Sequence, residues 1–207
     1  LETERSYLAC CHILGAEVQK ADRCFHVTYE PAQEGEAGEA RLQFADGLPD
    51  CFLFPELIGT SSAILDLKRQ LARVVKHDVN VLIQGDSGTG KNLVAELIHR
   101  YSARSDHPFV RVNCPSVPES LFESELFGHT KGAFTGASDG SPGRFRFAQG
   151  GTLLLDEISA VPPSLQGKLL RAIEEKRFSP VGSDQDVDID VRIIAATNED
   201  IGECLED

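Results

Sequence analysis

Four apolar runs of strand length divide the chain from Val79 onward: Val79-Asn-Val-Leu-Ile83, Phe109-Val-Arg-Val-Asn113, Gly151-Thr-Leu-Leu-Leu-Asp156 and Val191-Arg-Ile-Ile-Ala-Ala-Thr197. Between and before them, apolar residues recur every three or four positions, the period of a helix with one buried face. Ile64, Leu67, Leu71 and Val74 predict a helix ahead of the first run. Leu93, Leu97 and Tyr101, with Val94 and Ile98 beside them, predict a second whose stripe packs on a sheet as core. Leu121 to Phe127 predicts a third. Leu165, Leu169, Leu170 and Ile173 predict a fourth, with Ser164 as its N-cap. Strands that alternate with helices predict an α/β fold built on a doubly wound, mainly parallel sheet.

The first 50 or so residues break this pattern. Cys24 to Tyr29 and Ala40 to Phe44 read as strands, separated by the acidic stretch Glu34 to Glu39. They predict a hairpin, the end of a regulatory domain or an irregular extension, so residues 1–54 are a small N-terminal unit of uncertain fold and 55–207 the main domain. The chain starts at Leu1 and has no methionine, from which a piece of a longer product is expected.

With 20 basic and 33 acidic residues the net charge is −13, which opposes non-specific attraction to nucleic-acid phosphate. No apolar stretch approaches a membrane span and no secretory pattern opens the chain, so a cytoplasmic protein is expected. Cys10, Cys11, His12, Cys24 and His26 are the one candidate zinc group, but their spacing fits no standard metal pattern and ordinary thiols are expected.

The chemistry is concentrated where the runs end. Gly85-Asp-Ser-Gly-Thr-Gly-Lys-Asn92 joins a predicted strand to a predicted helix. Gly85, Gly88 and Gly90 permit close backbone approach, so the amides of Ser87, Thr89 and their neighbours, with a helix N-terminus, face a polyphosphate, and Lys91 adds positive charge. The plainer alternative is a glycine-rich turn without a ligand. Leu153 to Leu155 lead into Asp156-Glu157 at the strand edge where parallel sheets bind ligands. Neighbouring side chains on a strand diverge, so Asp156 is assigned to Mg²⁺ and Glu157 to the attacking water. Thr197-Asn198 closes the last run, and Asn198 is a further candidate for the γ-phosphate or water, against a simple turn former. Gly132-Ala133-Phe134-Thr135-Gly136-Ala137 has no place in phosphate chemistry. It suits a mobile loop that exposes Phe134 to a partner; a glycine turn around a buried Phe is the alternative.

These segments together closely resemble the central AAA+ domain of bacterial sigma-54-dependent transcription activators, over about residues 57–207. The resemblance rests on GDSGTGKN at 85–92, on VNCPSVPESLFESELFGHTKGAFTGA from about 111 to 137, on GGTLLLDEI at 150–158, QGKLLRAIEE at 166–175 and DVRIIAATN at 190–198. It implies a P-loop ATPase using ATP and Mg²⁺, ring-forming and usually hexameric, that remodels RNA polymerase holding sigma-54. It further implies that Gly132 to Ala137, above all Phe134 and Thr135, touch the sigma factor; that Asn113 is the switch restraining Glu157; that Ile58 and Gly59 lie on the adenine side; and that Asn198 is the first sensor. The family's arginine fingers, helical lid and DNA-binding domain would follow Asp207, so DNA contact is expected only through a segment beyond it, and residues 1–207 alone are expected to hydrolyse ATP slowly.

Four positions depart from the family pattern. Asn92 replaces an acid, Asp86 a glutamate, Pro180 an arginine, and Arg146 a glutamate after Gly-Arg-Phe. The last two leave open an ATP-binding module with impaired hydrolysis as a second reading. A protease-type unfoldase is a third, against which the GAFTGA element weighs.

Overall fold

The computed structural model describes residues 54–199 and the backbone of two short strands, β1 (Leu8–Cys10) and β2 (His26–Val27). The segment Ala40 to Phe44 and the side chains of the candidate zinc group lie outside the described residues. Among the described residues no set of three or more His, Cys, Asp or Glu side chains is grouped to hold a metal ion.

A six-stranded sheet runs in the order β2-β1-β3-β8-β5-β4. Its parallel part comprises β3 (Val81–Gln84), β4 (Phe109–Asn113), β5 (Thr152–Asp156) and β8 (Arg192–Thr197). β1 and β2 add antiparallel pairs beyond β3. The chain leaves β3 through α2 (Lys91–Arg100) to the far edge at β4, then returns through β5 to β8. The sheet is doubly wound, as the alternation of runs predicts.

Continuous apolar runs are explained by burial on both faces. Leu82, Leu153, Leu155, Ile193 and Ala195 face one core with α3 (Glu119–Phe127), α4 (Gly143–Phe147) and α5 (Pro163–Glu175). Val81, Ile83, Leu154, Ile194 and Ala196 alternate onto the other core, with α1 (Ser62–Val74) and α2. Leu154 is completely buried, and truncating such a leucine costs about 2–5 kcal/mol. A separate hairpin pairs β6 (Arg177–Phe178) with β7 (Val187–Asp188), seating Phe178 against Phe127 and Phe145 at centroid distances of 5.4 and 5.6 Å.

Three local expectations are corrected. The stripe of α2 centres on Val94, Ala95, Leu97 and Ile98; Leu93 and Tyr101 are 38% and 44% exposed and stand at its margin. Tyr101 still shields Phe54, edge to face at 5.0 Å. Ser164 is not the cap of α5, which begins one residue earlier at Pro163, with Pro162 at the cap position. Proline at the first helical position needs no donor and is preset in φ, so it sets this start without a side-chain cap. The first parallel strand also starts at Val81 rather than Val79.

Candidate functional site

Strand register brings the chemistry together. Gln84 lies opposite Thr197, Asp156 opposite Ala196, and Asn113 opposite Asp156, so the C-terminal ends of all four parallel strands finish at one level. The glycine loop leaves from β3 at that level, and the Gly85 N–H donates to the Thr197 carbonyl at 3.1 Å, tying it to β8.

The loop is shaped by its own bonds. The Thr89 N–H and hydroxyl both donate to the Asp86 carbonyl, at 3.3 and 2.8 Å. Gly88 and Gly90 take left-handed backbone angles, with φ of 81° and 91°, which a side chain would strain. Gly90 caps α2 without a side chain, leaving the first amides of that helix to the loop, and open space surrounds the position where a Gly88 Cβ would stand. Lys91 is 7% exposed. Its Nζ donates to the carbonyls of Gly85 at 2.8 Å and Asp86 at 3.3 Å, and lies 3.4 Å from Glu157 Oε1. A buried ammonium needs such partners. Ser87 is exposed on the loop.

Opposite the loop stand Asp156 and Glu157. Asn92 Nδ2 donates to Asp156 Oδ2 at 3.0 Å, joining the helix start to the end of β5 across 64 residues. A carboxylate only accepts, so the amide orientation is fixed, and Asn92 Oδ1 is left as a buried acceptor without a hydrogen-bond partner. One carboxylate and an orphaned carbonyl oxygen side by side suit a hard cation that keeps water and phosphate as its other ligands. The residues therefore fit Mg²⁺ bound with a nucleotide, rather than a cage made by protein alone.

Glu157 adopts φ 53° and ψ 62°, a left-handed conformation unusual outside glycine. Strain of about 1–3 kcal/mol is held at such residues, typically where function needs the side chain aimed. Its Oε2 accepts the Asn198 N–H at 3.0 Å while Oε1 faces Lys91. Thus the backbone of Asn198, rather than its side chain, engages Glu157, a contact that no sequence signal announces. Asn113 ends β4 beside Asp156, and no hydrogen bond joins it to Glu157. Ile58 is 92% exposed and Gly59 has φ 139°. Their segment is anchored by Glu56 to Arg100 at 2.8 Å, at the C-terminal end of α2, about 15 Å along the helix from the phosphate loop.

The Gly132–Ala137 loop stands apart from these groups. His129 and Ser141 exchange two backbone hydrogen bonds of 2.9 Å across its base, and Gly132 N–H donates to the Ala137 carbonyl at 2.9 Å. Thr130 N–H donates to Val181, and Val181 N–H to Gly128, so the segment holding Pro180 buttresses the base. Gly182 is required there, because an added Cβ would lie 2.7 Å from Ala133 Cβ. Ala137 is buried while Phe134, at 40% exposure, and Thr135 reach solvent.

The opposite end of the parallel strands carries a cavity of about 370 Å³ lined in part by His77, Asp78, Arg104, His107 and Asp190. Arg104 is committed to Asp78, Asp190 and the Gly150 carbonyl, so this cavity surrounds a structural clamp. Cys114 follows Asn113, but burial pushes its thiol up to about 12, which makes it an inert core residue.

Comparison with known proteins matches residues 57–207 to the family described as the Sigma-54 interaction domain. The Nif-specific regulatory protein of Azospirillum lipoferum is 46% identical over 180 residues, covering 87% of this chain and 28% of that protein. The transcriptional regulatory protein ZraR of Salmonella typhimurium is 55% identical over 147 residues, covering 71% of this chain and 33% of its own length. Among solved structures, NtrX from Brucella abortus in complex with ATP is similar with TM-score 0.65 and 36% identity, covering 72% of this chain and 32% of that one. The complex of NtrX with ADP gives TM-score 0.66, again at 36% identity. The chain thus spans about a third or less of the length of the curated relatives it matches.

Proposed function

The chain belongs to the sigma-54 interaction domain family, and from that premise we propose that it binds and hydrolyses ATP to remodel RNA polymerase holding sigma-54. The observation that carries the hydrolytic part is the convergence of Lys91, Asp156, Asn92 and Glu157 at the ends of the parallel strands. Relatives of known structure were solved with ATP and ADP, in keeping with a nucleotide here. Residues 55–207 are the ATPase unit in this reading, and residues 1–54 are a separate N-terminal element.

Phosphoryl transfer demands positioning and charge neutralisation more than covalent chemistry. The amides of Gly85 to Gly90 and the start of α2 cradle the phosphates. Lys91 turns from the Gly85 and Asp86 carbonyls to the phosphate oxygens, which releases Glu157 to orient water. Asp156 and Asn92 hold Mg²⁺, which supplies positive charge to the phosphates when bound. Asn198 positions Glu157 through its backbone and faces the γ-phosphate with its side chain. Asn113, beside Asp156, restrains Glu157 once Lys91 lets go, the role the family pattern gives it. Ile58 and Gly59 lie on the adenine side. Phe134 and Thr135 meet sigma-54, and self-association into a ring, by family pattern a hexamer, brings a neighbour's arginine to the site. Any DNA contact lies beyond these residues. Among the described residues no helix is long and apolar enough to cross a membrane, and a cytoplasmic setting goes with this reading.

The test uses the full-length gene product with purified sigma-54 and ADP–aluminium fluoride, which stands in for the transferring phosphoryl group. A stable complex with the unaltered protein, lost in Thr135→Ala, supports nucleotide-coupled binding through the loop. ATP turnover without capture would assign the loop another target. Absence of both would leave a nucleotide-binding module.

A further inference from the structure

We propose that His129 is a positioning residue that presets Phe134 for its partner; this rests on the reading that Phe134 meets sigma-54. The loop's backbone bonds close its base but fix no side chain at its tip. The ring contact that Phe134 makes among the described residues is with the His129 imidazole, at 5.0 Å between centroids and 60° between planes. That imidazole is itself held from two sides. Nε2 donates to the Asp139 carbonyl at 3.0 Å on the returning arm of the loop. A carbonyl only accepts, so Nε2 carries a hydrogen. Nδ1 lies 2.7 Å from Ser124 Oγ in α3. His129 also forms both backbone bonds to Ser141. One half-buried side chain therefore connects α3, the loop tip and the returning arm, at the point where the loop leaves the core.

The consequence is preorganisation. Phe134 is one aromatic in a segment otherwise made of glycine, alanine and threonine, whose backbone freedom would let the ring sample many directions. Seating the ring against a fixed imidazole removes part of that freedom before binding. Ordering one side chain on association is worth about a 2- to 10-fold change in affinity, so His129 acts at that scale and acts through Phe134.

Two measurements on the full-length protein decide it. Hydrogen exchange of residues 130–140, without any partner, is expected to speed up in His129→Ala while the global unfolding midpoint stays close to wild type. Capture of sigma-54 with ADP–aluminium fluoride is expected to weaken roughly 2- to 10-fold in His129→Ala, and to show no further loss when His129→Ala is added to Phe134→Ala. His129→Gln keeps a donor for the Asp139 carbonyl but lacks the ring, so it is expected to retain slow loop exchange and still lose capture. Unchanged capture in His129→Ala or His129→Gln, or the same loss of capture with and without Phe134, would overturn the proposal. Failure of the unaltered protein to capture sigma-54 would sink the partner reading instead, and the exchange result would still decide whether His129 fixes the loop.

Discussion

Lys91 Nζ and Glu157 Oε1 stand 3.4 Å apart, joining the end of the glycine loop to the residue after β5. With the Asn198 N–H on its other oxygen, Glu157 is held between two elements despite its left-handed backbone. Glu157→Gln keeps the size and the Asn198 bond but cannot take a proton from water. It is expected to bind nucleotide and to turn over ATP about 10²- to 10⁴-fold more slowly than wild type. Nucleotide titration and steady-state phosphate release on the full-length protein check both halves; turnover within a few-fold of wild type would remove Glu157 from this role.

Asn92 donates to Asp156 where a carboxylate would repel it. Asn92→Asp places two carboxylates about 3 Å apart, and both cannot ionise freely without a cation. The variant is expected to melt roughly 2–8 °C below wild type without ligand and to recover more than wild type does on adding Mg²⁺ with ADP. Equal ligand-induced shifts in the two proteins would show that residue 92 does not face the cation.

Arg104 ties together the starting ends of three strands through Asp78, Asp190 and the Gly150 carbonyl. Its guanidinium holds the Asp78 carboxyl below the usual carboxylate range. A depressed carboxylate contributes stability above its unfolded value, near pH 4, and loses it as pH falls through the folded value. Arg104→Gln is expected to cost about 1–3 kcal/mol at neutral pH and to flatten the acid limb below about pH 4. Denaturant melts between pH 3 and 7 read both effects.

His99, on α2, reaches Thr152 Oγ1 at 3.0 Å and stacks on Phe109 at 4.9 Å. Burial, with the nearby Arg192 charge, pushes its ionisation below the ordinary histidine value. The folded protein therefore binds fewer protons here than the unfolded chain, so this stability is present above about pH 6.5 and is lost as pH falls from there toward the folded value. In His99→Asn the fall in denaturation midpoint between pH 7.5 and 5.5 is expected to shrink. An unchanged fall would assign that dependence to other groups.

Sequence alone determined what depends on local backbone and local period. The apolar runs specified strands buried on both faces, because a run without polar alternation has no solvent side to offer. Gly85 to Asn92 specified a phosphate loop, because glycine at fixed positions licenses a backbone path closed to other residues. Asp156-Glu157 stood out because acids end an otherwise apolar strand. Tertiary structure decided everything that joins distant positions. The pairing of Asn92 with Asp156, of Asn198 with Glu157 and of Arg104 with Asp190 spans 41 to 86 residues, and no periodicity encodes which strand ends meet. The margin of the α2 stripe was likewise beyond the sequence. Leu93 and Tyr101 share the helical period of the core, but how wide a stripe the sheet covers depends on the curvature and neighbours of that sheet. His129 lies inside the stretch that carries the family resemblance, but nothing in the sequence assigns it a contact. Only folding of the loop back onto α3 brings its ring to Phe134.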